Sequence, residues 1–172
     1  MNDPYAMPKG VLRNKLGITD HQLLQAAEAD ITRARLVMLA ERPLPGAYDL
    51  GHLQAFYAAI FGDIYPWAGE LRTVNIAKRT PFCPVRNLVS YAGEVFGRLA
   101  SSDHLRDLLR QEFAIRLAEL YGDMNVLHPF REGNGRAQRA FLAAQRRRGI
   151  RTQLIRHGRP AQRRCFGEEL PG

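Results

Sequence analysis

Apolar residues recur at steps of three and four along most of this chain, and this spacing predicts a largely helical protein. We expect the first helix to begin at an N-cap, Asp20, and to end before Pro43 and Pro45. A second helix should end at Gly62. Two further helical stretches are expected over 88–99 and 105–127. The apolar positions behind these patterns are Leu23, Ala27, Ile31, Ala34, Met38, Leu50, Leu53, Tyr57, Ile60, Leu88, Ala92, Val95, Leu99, Leu105, Leu108, Leu109, Phe113, Leu117, Leu120, Met124 and Leu127.

One segment departs from the helical spacing. Residues 71–77 alternate valine and isoleucine with polar neighbours, which is typical of a short strand. The residues that follow, 78–81, contain turn-forming types and end in proline. We therefore predict a short β-hairpin on an otherwise all-α helical bundle.

The length and composition fit one domain, with 172 residues of which 45% are hydrophobic. Residues 1–17 are rich in proline and glycine and are expected to form an extended N-terminal arm. Residues 18–149 form the predicted helical domain. Residues 150–172 are rich in arginine, proline and glycine, and we expect a basic, poorly ordered tail there.

The sequence also bears on location. No window approaches the roughly 20 apolar residues that a membrane span needs, so we expect no membrane association. The first five residues lack a basic region followed by an apolar stretch, which argues against a signal peptide. Cys83 and Cys165 lack disulfide-framework or zinc-ligand spacing, which favours a reducing, cytoplasmic location.

The formal charge of +8 is concentrated near the C-terminus. From position 140 onward there are eight arginines and only two acidic residues, while the preceding body is nearly neutral. Nucleic-acid-binding domains combine a basic face with aromatic platforms, whereas the aromatic residues here lie mainly in the body. The pattern argues against nucleic-acid binding, and leaves a basic interaction protein as the alternative to an enzyme.

Residues 128–135 interrupt the helical pattern and carry the candidate chemistry. Pro129 cannot sit inside a helix, so His128 should end one helix and a loop should follow. The run Gly133, Asn134 and Gly135 should open the next helix. Bare backbone N–H groups and the positive end of a helix dipole together make a cradle for phosphates.

Charged residues flank this predicted cradle. Arg136 and Arg139 are three positions apart, hence on one helix face, and their planar forks match phosphate oxygens. Glu132 is a carboxylate of the kind that holds Mg²⁺ beside phosphates. His128 can accept a proton at neutral pH. The cluster is typical of nucleoside triphosphate chemistry.

Each residue also has an ordinary structural interpretation. The histidine at a helix end can be a cap or a packing residue, and the glycine-rich run can be a plain turn. The two arginines can simply form a solvated helix face. What favours a site is that all of them fall within residues 128–139, at a single junction between a loop and a helix.

Residues 128–139 resemble the motif of the Fic (filamentation induced by cAMP) family: His-Pro-Phe, one residue, Asp or Glu, Gly-Asn-Gly-Arg, two residues, Arg. Every fixed position matches. Residues 65–72 and 73–83 are similar to the family's segment before its flap and to the flap itself, and residues 3–5 and 11–18 resemble the arm of its short bacterial toxin members. The resemblance covers about residues 3–148 and ends where the tail begins.

The resemblance implies a Fic fold, a helical bundle with a short β-hairpin flap over the active-site loop. It also implies transfer of AMP from ATP to a hydroxyl side chain of a target protein, with Mg²⁺ as cofactor. His128 would be the general base and Glu132 the metal ligand. The residues implied at the phosphates are Gly133, Asn134 and Gly135 as the anion hole for the α- and β-phosphates, and Arg136 and Arg139 at the outer phosphates, with Arg139 at the γ-phosphate.

The resemblance implies partners as well. The target would dock by strand addition on the flap, residues 73–83, from which Lys78 would reach the nucleotide unless it is only a solvated turn residue. The family restrains itself with a helix that carries Ser or Thr, three residues, Glu, then Gly or Asn. Only Ser90 and Glu94 have the first spacing here, within a predicted core helix and followed by Val95. We therefore expect a separate antitoxin protein to supply the inhibitory helix.

Three alternatives stay open at this point. Family members that transfer phosphate carry lysine where this chain has Gly135, which argues against a kinase. The unmatched tail is the feature that supports a non-catalytic Fic remnant. The same basic tail supports the third alternative, a nucleic-acid-binding or protein-interaction protein without catalysis.

Overall fold

The computed structural model describes residues 3–157, with side chains described through Arg147. Two short 3₁₀ turns, Val85–Asn87 and Asp103–Leu105, precede the third and fourth helices. The α-helices of the described residues are α1 (His21–Glu41), α2 (Leu50–Phe61), α3 (Leu88–Ser101), α4 (Arg110–Leu127) and α5 (Asn134–His157). The prediction of a helical protein is confirmed.

The helix ends follow the sequence signals closely. The Asp20 carboxylate accepts a hydrogen bond from the Leu23 amide at the start of α1, 2.8 Å away, and Gly62 is the C-cap of α2. The predicted start of the fourth helix at Leu105 is wrong. Residues 103–105 and Asp107 have positive φ angles, which no α-helix contains. Leu105 therefore belongs to a turn before α4.

The centre of the core lies between α2 and α5. Six side chains of α2 are buried, and its aromatic rings meet Phe141 of α5. Phe96 of α3 approaches the same ring edge-on, with centroids 5.8 Å apart. This packing fixes α5 against the bundle and so fixes the loop 128–133, which joins the end of α4 to the start of α5.

No strand forms among the described residues, so the strand predicted over 71–77 is corrected. The segment has one antiparallel bridge, between Ala77 and Pro81. Part of its backbone is bound elsewhere: the Thr73 amide donates to the Tyr5 hydroxyl, the Arg72 side chain donates to the Val74 carbonyl, and the Ile76 carbonyl accepts from the Phe82 amide. These contacts hold the segment without a partner strand.

The two ends of the chain differ. The arm, 1–17, is described from Asp3 onward and packs on the body, where Asp3 pairs with Arg131 of the loop 128–133 at 2.6 Å. Helix α5 continues to His157, inside the segment predicted as a tail, and 158–172 lie outside the described residues. Within the described part of the chain, no helix is long and apolar enough to cross a bilayer.

Candidate active site

His128 lies at the end of α4, as the sequence predicted. It is the C-cap residue, with a left-handed backbone (φ 42°), and is 9% exposed. Its Nδ1 lies 3.2 Å from the carbonyl oxygen of Asn125. A proton on Nδ1 satisfies that carbonyl, so the neutral ring presents Nε2 as the proton acceptor.

The surroundings favour the neutral form of this imidazole. Burial is the largest cause that lowers the pKa of His128 below its usual value, and the positive charges of Lys78 and Arg72 lower it further. The hydrogen bond to Asn125 and the charge of Glu132 act in the opposite direction and are outweighed. A neutral imidazole is the form that can accept a proton.

The loop that follows His128 is held by Asn134. The side-chain oxygen of Asn134 accepts from the Phe130 amide at 2.9 Å, and its nitrogen donates to the Phe130 carbonyl at 2.7 Å. Sequence reasoning placed Asn134 in the anion hole. Because its side chain is bound to both backbone groups of Phe130, Asn134 presents its backbone N–H at the start of α5.

The start of α5 offers the predicted cradle. Asn134 and Gly135 begin the helix, so their N–H groups have no acceptor within it. Gly133 has φ +73°, and a Cβ there would overlap the ring of Phe61, so no other residue fits. The free N–H groups and the helix dipole make this end of α5 attractive to an anion.

Glu132 lies at the edge of the cradle with an exposed side chain, and its carboxylate accepts from the Gly133 amide at 2.9 Å. No cluster of three or more potential metal ligands occurs among residues 3–147. One carboxylate beside a phosphate cradle fits an Mg²⁺ that arrives with a nucleotide, whose oxygens and waters complete the shell. It does not fit a metal held by protein ligands alone.

The two motif arginines differ in their surroundings. The guanidinium of Arg136 pairs with Glu28, donates to Thr32 Oγ1 at 3.2 Å, and lies 4.8 Å from the centroid of the Phe61 ring. Arg139 is exposed and bends back toward the helix start, since a Cβ on Gly135 would lie 3.0 Å from its Nη1. Within the described side chains, Arg139 has no hydrogen-bond or ion-pair partner.

The segment that was predicted as a flap lies against His128. The ring of Phe82 stacks on the imidazole, with centroids 3.7 Å apart and planes at 9°. Lys78 is exposed at the turn, and no described side-chain contact fixes its ammonium. The structure thus places His128 and Glu132 at the two ends of one loop and Arg139 on the helix that follows, beside Gly135, with Lys78 on the neighbouring turn.

Sequence reasoning gave no separate role to three residues that build this site. Arg72 is 2% exposed, and its Nε donates to the His128 carbonyl oxygen at 2.8 Å. Glu28 is the buried partner of Arg136, and Phe82 covers the imidazole. Two sequence features could have indicated these roles. Arg72 is a cation within the alternating segment 71–77, and Glu28 is an acidic residue four positions after Leu24 on the buried face of α1.

Comparison with known proteins identifies the family. The sequence profile of the Fic/DOC family matches residues 47–145. The chain is 41% identical over 143 residues to the protein adenylyltransferase VbhT of Bartonella schoenbuchensis (strain DSM 13525 / NCTC 13165 / R1), with 82% of this chain and 30% of VbhT covered. It is 37% identical over 142 residues to the Fic protein of Escherichia coli (strain K12), with 81% of this chain and 70% of that protein covered.

Solved structures agree with the sequence comparisons. BepC of Bartonella tribocorum, with bound AMPPNP, superimposes with a TM-score of 0.77 at 25% identity, covering 84% of this chain and 77% of that one. The N-terminal Fic domain of a Bartonella quintana effector, with bound ADP, gives 0.78 at 27% identity, covering 84% and 76%. The helical fold, the loop at 128–135 and these relatives place this chain in the Fic/DOC family.

Proposed function

We propose that this protein is a protein adenylyltransferase, which transfers AMP from ATP to a hydroxyl side chain of a target protein. The observation that carries the proposal is the loop 128–133, which joins the C-cap imidazole of His128 to the free N–H groups at the start of α5. VbhT, which is 41% identical, is named for this activity, and the BepC structure holds an ATP analogue.

In this proposal the start of α5 binds the phosphates. The N–H groups of Asn134 and Gly135 and the helix dipole receive the α- and β-phosphates. The N–H of Gly133, the third residue of the predicted anion hole, is bound to the Glu132 carboxylate. Arg139 takes the γ-phosphate, because its guanidinium is exposed beside Gly135. Arg136 remains tied to Glu28, so it contributes positive charge near the outer phosphates more than a direct contact.

Glu132 would hold the Mg²⁺ that accompanies ATP. When bound, this ion would neutralise part of the charge on the phosphates. The chain's own contribution is to aim an exposed carboxylate at the cradle, where the bond from the Gly133 amide orients it.

His128 performs the proton transfer in this mechanism. Nε2 takes the proton of the target hydroxyl while that oxygen attacks the α-phosphorus. The new P–O bond forms as the bond to the bridging oxygen of the β-phosphate breaks, and pyrophosphate leaves. The N–H groups of α5 stabilise the charge that develops, and His128 then gives its proton to solvent.

The flap, residues 73–83, would receive the target. It forms a bridge between Ala77 and Pro81, and a target segment would pair with the backbone groups that contacts within the chain leave unused. Lys78 at its turn would lie near the nucleotide. Main-chain pairing of this kind aligns a hydroxyl without selecting many side chains.

A toxin role with a separate antitoxin is part of the proposal. Ser90 donates to the Asn87 carbonyl and Glu94 is exposed on α3, so neither resembles an inhibitory contact with Arg139. Beside Arg139 lies an apolar groove of about 220 Å³ between α1 and α5, lined by Leu36, Leu39, Ala140 and Ala143. An antitoxin helix seated there would reach Arg139 with a glutamate.

The two cysteines lack the spacing of a disulfide framework or a zinc site, which supports action in the cytoplasm.

The position of the label identifies the reaction. The purified chain is incubated with a bacterial lysate and ATP labelled on either the α- or the γ-phosphate. We expect label in protein from the α-phosphate alone. Transfer from the γ-phosphate alone would indicate a kinase, and no transfer from either would contradict the proposal. The antitoxin proposal fails if the isolated chain is already inactive and excludes ATP.

A further inference from the structure

We infer that Arg72 and Phe82 are positioning residues for His128: one fixes its backbone and the other fixes its ring. This inference rests on the proposed function for its kinetic consequence, but not for the geometry. Both residues belong to the segment 72–83, so contacts from the flap region hold the imidazole in place.

Arg72 joins three segments of the chain. Its Nε donates to the His128 carbonyl at 2.8 Å, its Nη1 donates to the Val74 carbonyl at 2.9 Å, and its Nη2 donates to the Cys83 carbonyl. Its backbone amide donates to the Pro129 carbonyl at 2.9 Å. One side chain therefore binds both ends of the flap to the residue that carries the imidazole.

Arg72 is a buried cation, and no carboxylate in the described part of the chain pairs with it. Burying a charge is costly unless hydrogen bonds replace its water, and here carbonyl oxygens do so. A hydrophobic side chain of similar volume would avoid that cost. A planar fork that reaches three carbonyls at once provides a geometric constraint that lysine cannot fully reproduce.

Phe82 restrains the imidazole itself. The two rings are nearly parallel and in contact, and Phe82 in turn is held by its amide, which donates to the Ile76 carbonyl at 3.2 Å. The next amide, of Cys83, donates to the Val126 carbonyl in the last turn of α4 at 2.9 Å. With one face covered and Nδ1 bound to Asn125, the ring is held with Nε2 as its free nitrogen.

This arrangement predicts a kinetic signature. His128 acts only while the proton moves, whereas ATP is held by α5 and Arg139. Misplacing the imidazole should lower kcat and leave the KM for ATP nearly unchanged. Because small displacements of a catalytic group are costly, we expect Arg72→Lys and Phe82→Leu each to lower kcat by about tenfold to a hundredfold.

The experiment uses the full chain with five variants. Arg72→Lys and Phe82→Leu test the inference, and Phe82→Tyr is the conservative change that should retain the stack and the rate. The matched controls are Arg98→Lys, at the exposed ion pair with Asp123, and Phe96→Leu, in the core. Each is measured for kcat, KM for ATP, free energy of unfolding in urea, and the ring tautomer by ¹⁵N NMR, with His128 assigned from the spectrum of His128→Ala.

The result that supports the inference is a loss of kcat and of the pure Nδ1–H tautomer in Arg72→Lys and Phe82→Leu, with neither change in the controls. Unchanged kcat and tautomer would overturn it, and so would a loss of stability equal to that of Phe96→Leu with the tautomer intact. The NMR measurement needs no turnover. If the parent chain transfers no AMP while the tautomer still depends on Arg72 and Phe82, the proposed function fails and the positioning role stands.

Discussion

Arg136 and Glu28 form an ion pair that joins the start of α5 to α1. Glu28 also accepts a hydrogen bond from the Tyr65 hydroxyl, and burial, together with this bond, raises the pKa of Tyr65 so that it remains a donor. One buried carboxylate thus holds the first motif arginine and the segment before the flap. The second motif arginine, Arg139, is left exposed beside the cradle.

We expect Glu28→Gln to lower the free energy of unfolding by about 2 kcal/mol, because it leaves the partly buried Arg136 without its counter-charge. Urea denaturation measures the loss. The matched control is Asp63→Asn, which removes the more exposed pair with Arg35 and should cost less than about 0.5 kcal/mol. Equal losses in the two variants would mean that the Glu28 pair has no special role.

Gly133→Ala should destabilise the protein by about 1–3 kcal/mol and abolish nucleotide binding. The new Cβ would overlap the Phe61 ring, and the backbone has a positive φ. Gly122→Ala is the control: it lies inside α4 with open space around it, so it should stabilise by about 0.5–1 kcal/mol. Thermal unfolding and calorimetric titration with a non-hydrolysable ATP analogue give both quantities. Normal binding by Gly133→Ala would argue against the cradle.

Arg139→Ala should weaken binding of that analogue by about tenfold, since a charged hydrogen bond to phosphate is lost. Its free energy of unfolding should be unchanged, because no described residue depends on it. Arg116→Ala, at the exposed pair with Glu119, is the control and should bind normally. Equal affinities for the parent chain and Arg139→Ala would remove Arg139 from the site.

The pH dependence follows from the lowered pKa of His128, whose first cause is burial. The base is the neutral ring, so transfer should be full at neutral pH and fall only at a pH below the usual histidine range. The free energy of unfolding should change in the same direction. The unfolded chain takes up the proton in the usual histidine range, before the folded chain does, so stability decreases as the pH falls through that range. Rates and unfolding measured from pH 8 to pH 5 test this.

A matched variant sharpens the pH prediction. Lys78→Gln removes a positive charge that lowers the pKa of His128, so its acid limb should move to higher pH. Arg98→Gln, an exposed cation on α3, should leave the profile in place. An acid limb at or above the ordinary histidine pKa in the parent chain would contradict the burial argument.

The sequence predicted the helices and the position of the loop well, for local reasons. Asp20, Gly62 and Pro129 act on the backbone of their own neighbourhood, so their effects can be inferred without tertiary structure. The helix expected from Leu105 failed because the apolar spacing continues through a turn whose positive φ angles no side-chain pattern reveals.

The tertiary partners within the site were less predictable. Arg136 and Arg139 share one helix face by spacing, yet Glu28 of α1 holds the first alone, and that contact spans distant parts of the chain. The strand expected over 71–77 requires a partner strand, whereas Arg72 and Tyr5 bind part of that backbone, at Val74 and Thr73. The identity of the site residues followed from the motif, whereas what holds them depends on the fold.

The most direct test of the central claim compares the parent chain with His128→Ala in transfer of label from α-labelled ATP to protein. We expect the variant to lose transfer by at least about a hundredfold, as for removal of a general base. It should keep its affinity for the ATP analogue and most of its stability. Transfer by His128→Ala at the parental rate would contradict the account.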